Sequence, residues 1–181
     1  MTERESLFIK QETVANRGKS TCFATSIVNA AIALGAVNLK DARAQHPNII
    51  AHLIAIPDLW NGATQRIQTF DTRIAEIVEM YLPIRVGLDS NAGRLMIVYK
   101  TFNKIWEDLV TREAAFVLTV PEAIHAYALT TARVEDGEKA IAYIDPFKPH
   151  ETRISSQGWF KKAFYPDSNG CVPTTPVRKR V

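Results

Sequence analysis

The sequence predicts an α+β domain, with helices in its first half and an antiparallel sheet in its second. Two observations carry that expectation. Residues 21–34 are apolar around most of a helix circumference, which demands burial against another layer. Residues 125–145 hold two strand-like runs around Asp136-Gly137, a two-residue hairpin signal. The strand–helix alternation of a parallel sheet is missing between 35 and 83.

The elements follow in order. "SLFIKQ" (6–11) reads as a short strand and "ETVANRGKS" as a polar loop. Thr21 to Leu34 is a buried helix, and Gly35 is placed to end it. "DARAQHPNIIAHLIAI" holds a second helix with Pro47 near its start, broken by Pro57 and "LWNG". Residues 63–82 read as an amphipathic helix, because Ile67, Phe70, Ile74, Ile77 and Tyr81 recur at helical spacing. Pro83 stops it, and "IRVGL" reads as a short strand. "TFNKIWEDLV" (101–110) predicts a short helix and "AAFVLTV" (114–120) a strand. "SSQGWFKKAF" (155–164) reads as a closing helix, and residues from about 166 to 181 as a flexible tail ending in the solvated "VRKRV".

The bulk numbers exclude several function classes. At 181 residues and 46% hydrophobic, the chain fits one domain, residues 1–181, with a proper core. A net charge of +3, partly lodged in the tail, is too weak and local for a nucleic-acid groove. No apolar run approaches a bilayer span, and "MTERESLFIKQE" does not read as a secretory signal. Two cysteines, Cys22 and Cys171, make no disulfide framework and no zinc cluster. A reducing, cytoplasmic setting is expected, with signal-independent export left open.

The chemistry lies in "RGKSTCFATSIVNAAIALG" (17–35), which admits two readings. "GKST" ahead of a helix resembles the end of a phosphate loop, but G-x-x-x-x-G-K-[ST] needs a glycine where Thr13 stands. Residues 14–17 hold no glycine either, so a P-loop NTPase is the minor alternative. The other reading makes Cys22 a nucleophile at a helix start, where a nearby histidine lowers a thiol's pKa. Reactivity toward a small alkylating agent is then expected to persist below the usual thiol range. His125 opens one hairpin arm and Asp145 closes the other, so pairing brings both toward one end of the sheet. An ideal register does not set them opposite, so a bulge or diagonal contact is required.

"Q…STCFATS", "HAYAL" and "YIDPF", in that order, resemble the papain-like cysteine peptidases. The similarity is closest to the small branch with the bacteriocin-leader-processing (double-glycine) peptidases, and it spans about residues 9–164. It implies a papain-like fold with the nucleophile helix packed on a C-terminal antiparallel sheet. It also implies Cys22 as nucleophile, His125 as general base and acid, and Asp145 as orienting residue. No metal or cofactor is implied, and the partner is a peptide or protein substrate, not nucleic acid or membrane. The chain departs from the pattern at Phe23, where many members have glycine, and at Asn16, where the oxyanion-hole glutamine is expected. Gln11 is the nearest glutamine and is favoured for its reach, with Asn16 the alternative.

Rival readings stand beside this one. A catalytically silent papain-like module that binds a peptide or protein would retain the same scaffold. Deamidases, transglutaminases and acyltransferases share the first half-reaction with peptidases. His46, His52 and His150 have no matching partners and read as surface or helix residues. Trp60 is the one candidate for a cleft wall; Trp106 and Trp159 read as packing, and Arg17 and Lys19 as loop-solvating charges. Oligomeric state is not legible.

Overall fold

In the computed structural model, which describes residues 7–11, 21–61, 66–67, 71–120, 125–149, 151–158, 160 and 169–181, four helices accompany an antiparallel sheet. The fold is α+β, as the sequence predicts. Helix α1 (Cys22–Ala33) is buried along most of its length because it lies between the sheet and a second helix. Gly35 ends it at φ +69°. There the Gly35 N–H donates to the Ile32 carbonyl and the Ala36 N–H to the Ala31 carbonyl, closing the last turn.

Helix α2 (Leu39–Ala55) begins earlier than the sequence suggests and carries Pro47 in its interior. Asn38 fixes the start, its side chain accepting from the Asp41 N–H at 2.8 Å. The amphipathic helix expected over 63–82 is shorter. Residues Trp60–Asn61 (β1) and Arg66–Ile67 (β2) pair antiparallel, and α3 runs only over Thr72–Tyr81. Asp71 caps it by accepting from the Arg73 N–H, and Ile67 belongs to β2 despite its helical spacing, while Phe70 lies outside the described residues.

Strand β3 (Ile84–Val86) follows Pro83, and β4 (Leu88–Ser90) and β5 (Gly93–Leu95) make a small hairpin. Gly87, at φ +83°, makes the turn between β3 and β4; a Cβ there would sit 2.7 Å from the Leu95 carbonyl oxygen. Strand β6 (Val98–Thr101) leads into α4 (Phe102–Thr111), capped by Thr101. Strands β7 (Ala115–Val120), β8 (His125–Glu135), β9 (Glu138–Ile144), β10 (Thr152–Ser156) and β11 (Cys171–Lys179) complete the main sheet. Its order is β10-β9-β8-β7-β11-β3, with β6 also paired to β11. Asp136 and Gly137, at φ 50° and 81°, form the predicted hairpin turn.

Three expectations are corrected. Residues 171–179 are not a flexible tail but an inner strand, bonded to β7 on one side and to β6 and β3 on the other. Ser155 and Ser156 belong to β10, and of the predicted closing helix only Gln157, Gly158 and Phe160 are described as helical. Residues 7–11 form no strand. They are held instead by two buried hydrogen bonds between the Asn29 amide and the Ile9 backbone, and by the Gln11 N–H donating to the Pro146 carbonyl.

His46, read as a surface or helix residue, lies on α2 and is buried against α1, where a ring nitrogen pairs with Thr25 Oγ1 at 2.9 Å. Burial pushes its pKa down to about 4 from 6.5. The unfolded chain therefore takes up a proton there before the folded one does. The neutral ring's contribution is full above pH 6.5 and is lost as pH falls toward 4, by on the order of 3 kcal/mol. Urea unfolding across this window should show that loss, and His46→Gln should flatten it; an unchanged slope would contradict the assignment. Among the described residues no helix is long and apolar enough to cross a membrane.

Candidate active site

The site is built where the first turn of α1 meets the start of β8. Ser26 Oγ donates to the Ala126 carbonyl at 3.1 Å, which fixes the axial position of α1 on that strand. One turn earlier, the Cys22 thiol faces the Ala126 backbone N–H, one residue from His125. Cys22 opens α1, so the helix's unpaired N–H groups, its own and that of Phe23, lie about the sulfur. Phe23 itself turns into the core.

His125 and Asp145 are joined by a buried 2.8 Å contact between Nε2 and Oδ1. The bulge that the sequence requires is present. From the turn, β8 and β9 pair in one register as far as Thr131↔Ala142, then shift by one to Leu129↔Tyr143. Thr130 is the extra residue, its hydroxyl donating to the Ala142 carbonyl. Without the shift, Asp145 would fall level with Ala128, whose side chain points to the opposite face from His125. With it, Asp145 falls level with Tyr127 and reaches His125 diagonally on the same face.

The surroundings of the pair fix its geometry. Asp145 Oδ1 also accepts from the Phe147 N–H at 2.9 Å, and Oδ2 faces the Arg153 guanidinium at 3.8 Å. Phe147 stacks on the imidazole at 5.0 Å between centroids, and Tyr127 meets it edge-on at 4.7 Å. An ionised carboxylate only accepts, so the proton of a neutral His125 sits on Nε2 and Nδ1 is left as the acceptor. Neither aromatic neighbour was singled out by the sequence, since stacking joins residues from separate strands and turns. The "DPF" that follows β9 is the nearest sequence signal for Phe147.

The thiol does not meet the expectation of a lowered pKa. Burial pushes Cys22 above its ordinary 9.0, and the Asp145 charge adds to the rise. The N–H groups of Ala126, Phe23 and Cys22 oppose it without prevailing. Among the described residues no hydrogen bond links Cys22 to His125. Burial thus holds the Cys22 thiol toward its neutral form.

Gln11 is 2% exposed, and neither its side-chain nitrogen nor its oxygen has a hydrogen-bond partner among the described residues. Leaving a buried amide unpaired costs about 1–3 kcal/mol per group, so such a group calls for an explanation. Its backbone is tied to Pro146, next to Asp145, which sets it at the same end of the fold. Asn16, Arg17, Lys19, His150, Trp159 and the side chain of Trp60 lie outside the described residues. His52 bonds the Tyr81 hydroxyl, and the Trp106 indole donates to the Arg133 carbonyl, both away from the site. Among the described residues no cluster of His, Cys, Asp or Glu could hold a metal. No protein-family model and no curated protein matches the chain.

Proposed function

We propose that the chain is a papain-like thiol acyl-transfer enzyme that opens a peptide or isopeptide bond through Cys22, His125 and Asp145. The observation that carries this reading is the buried His125–Asp145 pair, one residue from the N–H that faces the Cys22 thiol. In the proposed reaction Cys22 Sγ attacks the carbonyl carbon while its proton passes to His125 Nδ1. The Gln11 amide and the Cys22 N–H receive the oxyanion. His125 then protonates the leaving amine, and water, losing its proton to the same nitrogen, releases the acyl group. Asp145 holds the ring and stabilises the imidazolium.

The raised thiol makes His125 a base that acts during attack rather than the partner of a standing ion pair. Alkylation of Cys22 by iodoacetamide should therefore rise about tenfold per pH unit from 7 to 9 with no plateau. A rate already level at pH 7 would mean a resting thiolate instead. The same raised thiol favours the second reading, a silent module that binds a peptide or protein. Acetyl transfer from p-nitrophenyl acetate separates the two: an enzyme gives a Cys22 acetyl adduct that depends on His125 and turns over. Slow acetylation of Cys22 and Cys171 alike supports the module. The nucleotide-hydrolase alternative loses its scaffold, because every strand pairing among the described residues is antiparallel.

A further inference from the structure

We infer that Asn29 is a positioning residue for the Gln11 amide, acting through the backbone of Ile9; the inference rests on the oxyanion role proposed above. Among the described residues segment 9–11 pairs with no strand, yet its backbone must be paired once buried. The Asn29 side chain supplies the pairing of a missing strand. Its Oδ1 accepts from the Ile9 N–H at 2.8 Å and its Nδ2 donates to the Ile9 carbonyl at 3.0 Å. Asn29 is fully buried on α1, flanked along the chain by Ile27, Val28, Ala30 and Ala31. A polar side chain at such a place costs free energy unless every bond is made, and here both partners belong to one residue of the leading segment.

The segment is thereby held at two points. Asn29 grips Ile9, and two residues on, the Gln11 N–H bonds Pro146. One anchor belongs to the nucleophile helix and the other adjoins the residue that orients the histidine. A segment fixed at both ends delivers an amide that needs no bond of its own in the resting state. That is the condition for a preorganised oxyanion donor.

The test uses N-acetylglycinal, which adds reversibly to a thiol. The Cys22 S–C bond forms as the carbonyl π bond opens, and the thiol proton ends on the new oxygen or on His125, with no redox change. The tetrahedral adduct uses the oxyanion donors, whereas displacement of iodide from iodoacetamide does not. Gln11→Ala should weaken aldehyde binding about tenfold or more, and Asn29→Ala should do the same. The double variant should be no worse than either single one, because both changes remove one donor. Iodoacetamide rates at pH 8 should stay within about twofold throughout. Ile9→Pro, which removes the N–H that Asn29 accepts while leaving α1 unchanged, stands in if Asn29→Ala fails to fold.

Wild-type affinity in Asn29→Ala, or losses that multiply in the double variant, would overturn the positioning role alone. A parallel fall in alkylation would overturn it too, since that marks general damage to the start of α1. If Gln11→Ala binds the aldehyde as tightly as wild type, or the wild type does not capture it, the oxyanion reading fails and the inference falls with it.

Discussion

Cys22→Ala is expected to abolish acyl transfer, with a loss of at least about 10⁴-fold, and to leave the fold intact. In the proposed mechanism the acyl intermediate forms on the Cys22 thiol, and an alanine offers no nucleophile in its place. The fold survives because an alanine is readily accommodated at this buried helix start. His125→Ala should cost nearly as much, since the neutral thiol depends on a base during attack. Asp145→Asn should be milder than His125→Ala for thiol reactivity but severe for turnover. The amide oxygen can still accept from Nε2 and from the Phe147 N–H, but the charge that stabilises the imidazolium is gone. The measurement is the rate of p-nitrophenol release beside a thermal unfolding curve for each variant. Full activity in Cys22→Ala would sink the mechanism.

The parts of the fold legible in the sequence are those decided locally. Asp136-Gly137 needs two left-handed residues, and Gly35 ends an all-round apolar helix. Strand β11 was hidden because Pro173 and Pro176 argue against an inner strand, as prolines lack the ladder's N–H. What makes it a strand is tertiary: Val172, Thr174, Thr175 and Val177 are buried between neighbours from three distant stretches of chain. Ile67 misleads in the opposite sense, extending a helical period to a residue of β2 that lies ahead of the cap at Asp71.

At the candidate site, the meeting of His125 with Asp145 was legible, and the electrostatics of the thiol were not. The need for a bulge comes from counting along a hairpin, and the order Cys22, His125, Asp145 from the resemblance to the papain-like peptidases. The raised thiol comes from burial, which depends on how α1 is covered on all sides. The pairing of His46 with Thr25 and the grip of Asn29 on Ile9 likewise join residues about twenty positions apart, with no periodicity to announce them.

The largest stability effect is expected at Glu79, on α3 far along the chain from Cys22. Glu79 is 7% exposed, against 72% for the side chain of Asp89. Its Oε1 accepts from the Val86 N–H at 2.8 Å and from Arg94 at 2.9 Å, and its Oε2 accepts from Arg85 at 3.0 Å. Arg180 adds a bond to the Glu79 carbonyl, so one residue ties α3, β3, β5 and the end of β11 together. Removing this carboxylate leaves a largely buried Arg94 without its nearest acid and a buried N–H unpaired. Breaking such a cluster costs about 3–5 kcal/mol, which for a chain of 181 residues lowers the unfolding midpoint by roughly 6–20 °C. Glu79→Ala should show that fall, and Glu79→Gln less than half of it, because the amide oxygen still accepts. Asp89→Asn should change stability by no more than about 1 kcal/mol, as its pairs with Arg85 and Arg94 are open to water. Equal, small effects at positions 79 and 89 would mean that the arginines find water instead, and that the C-terminal strand is held by its ladder alone.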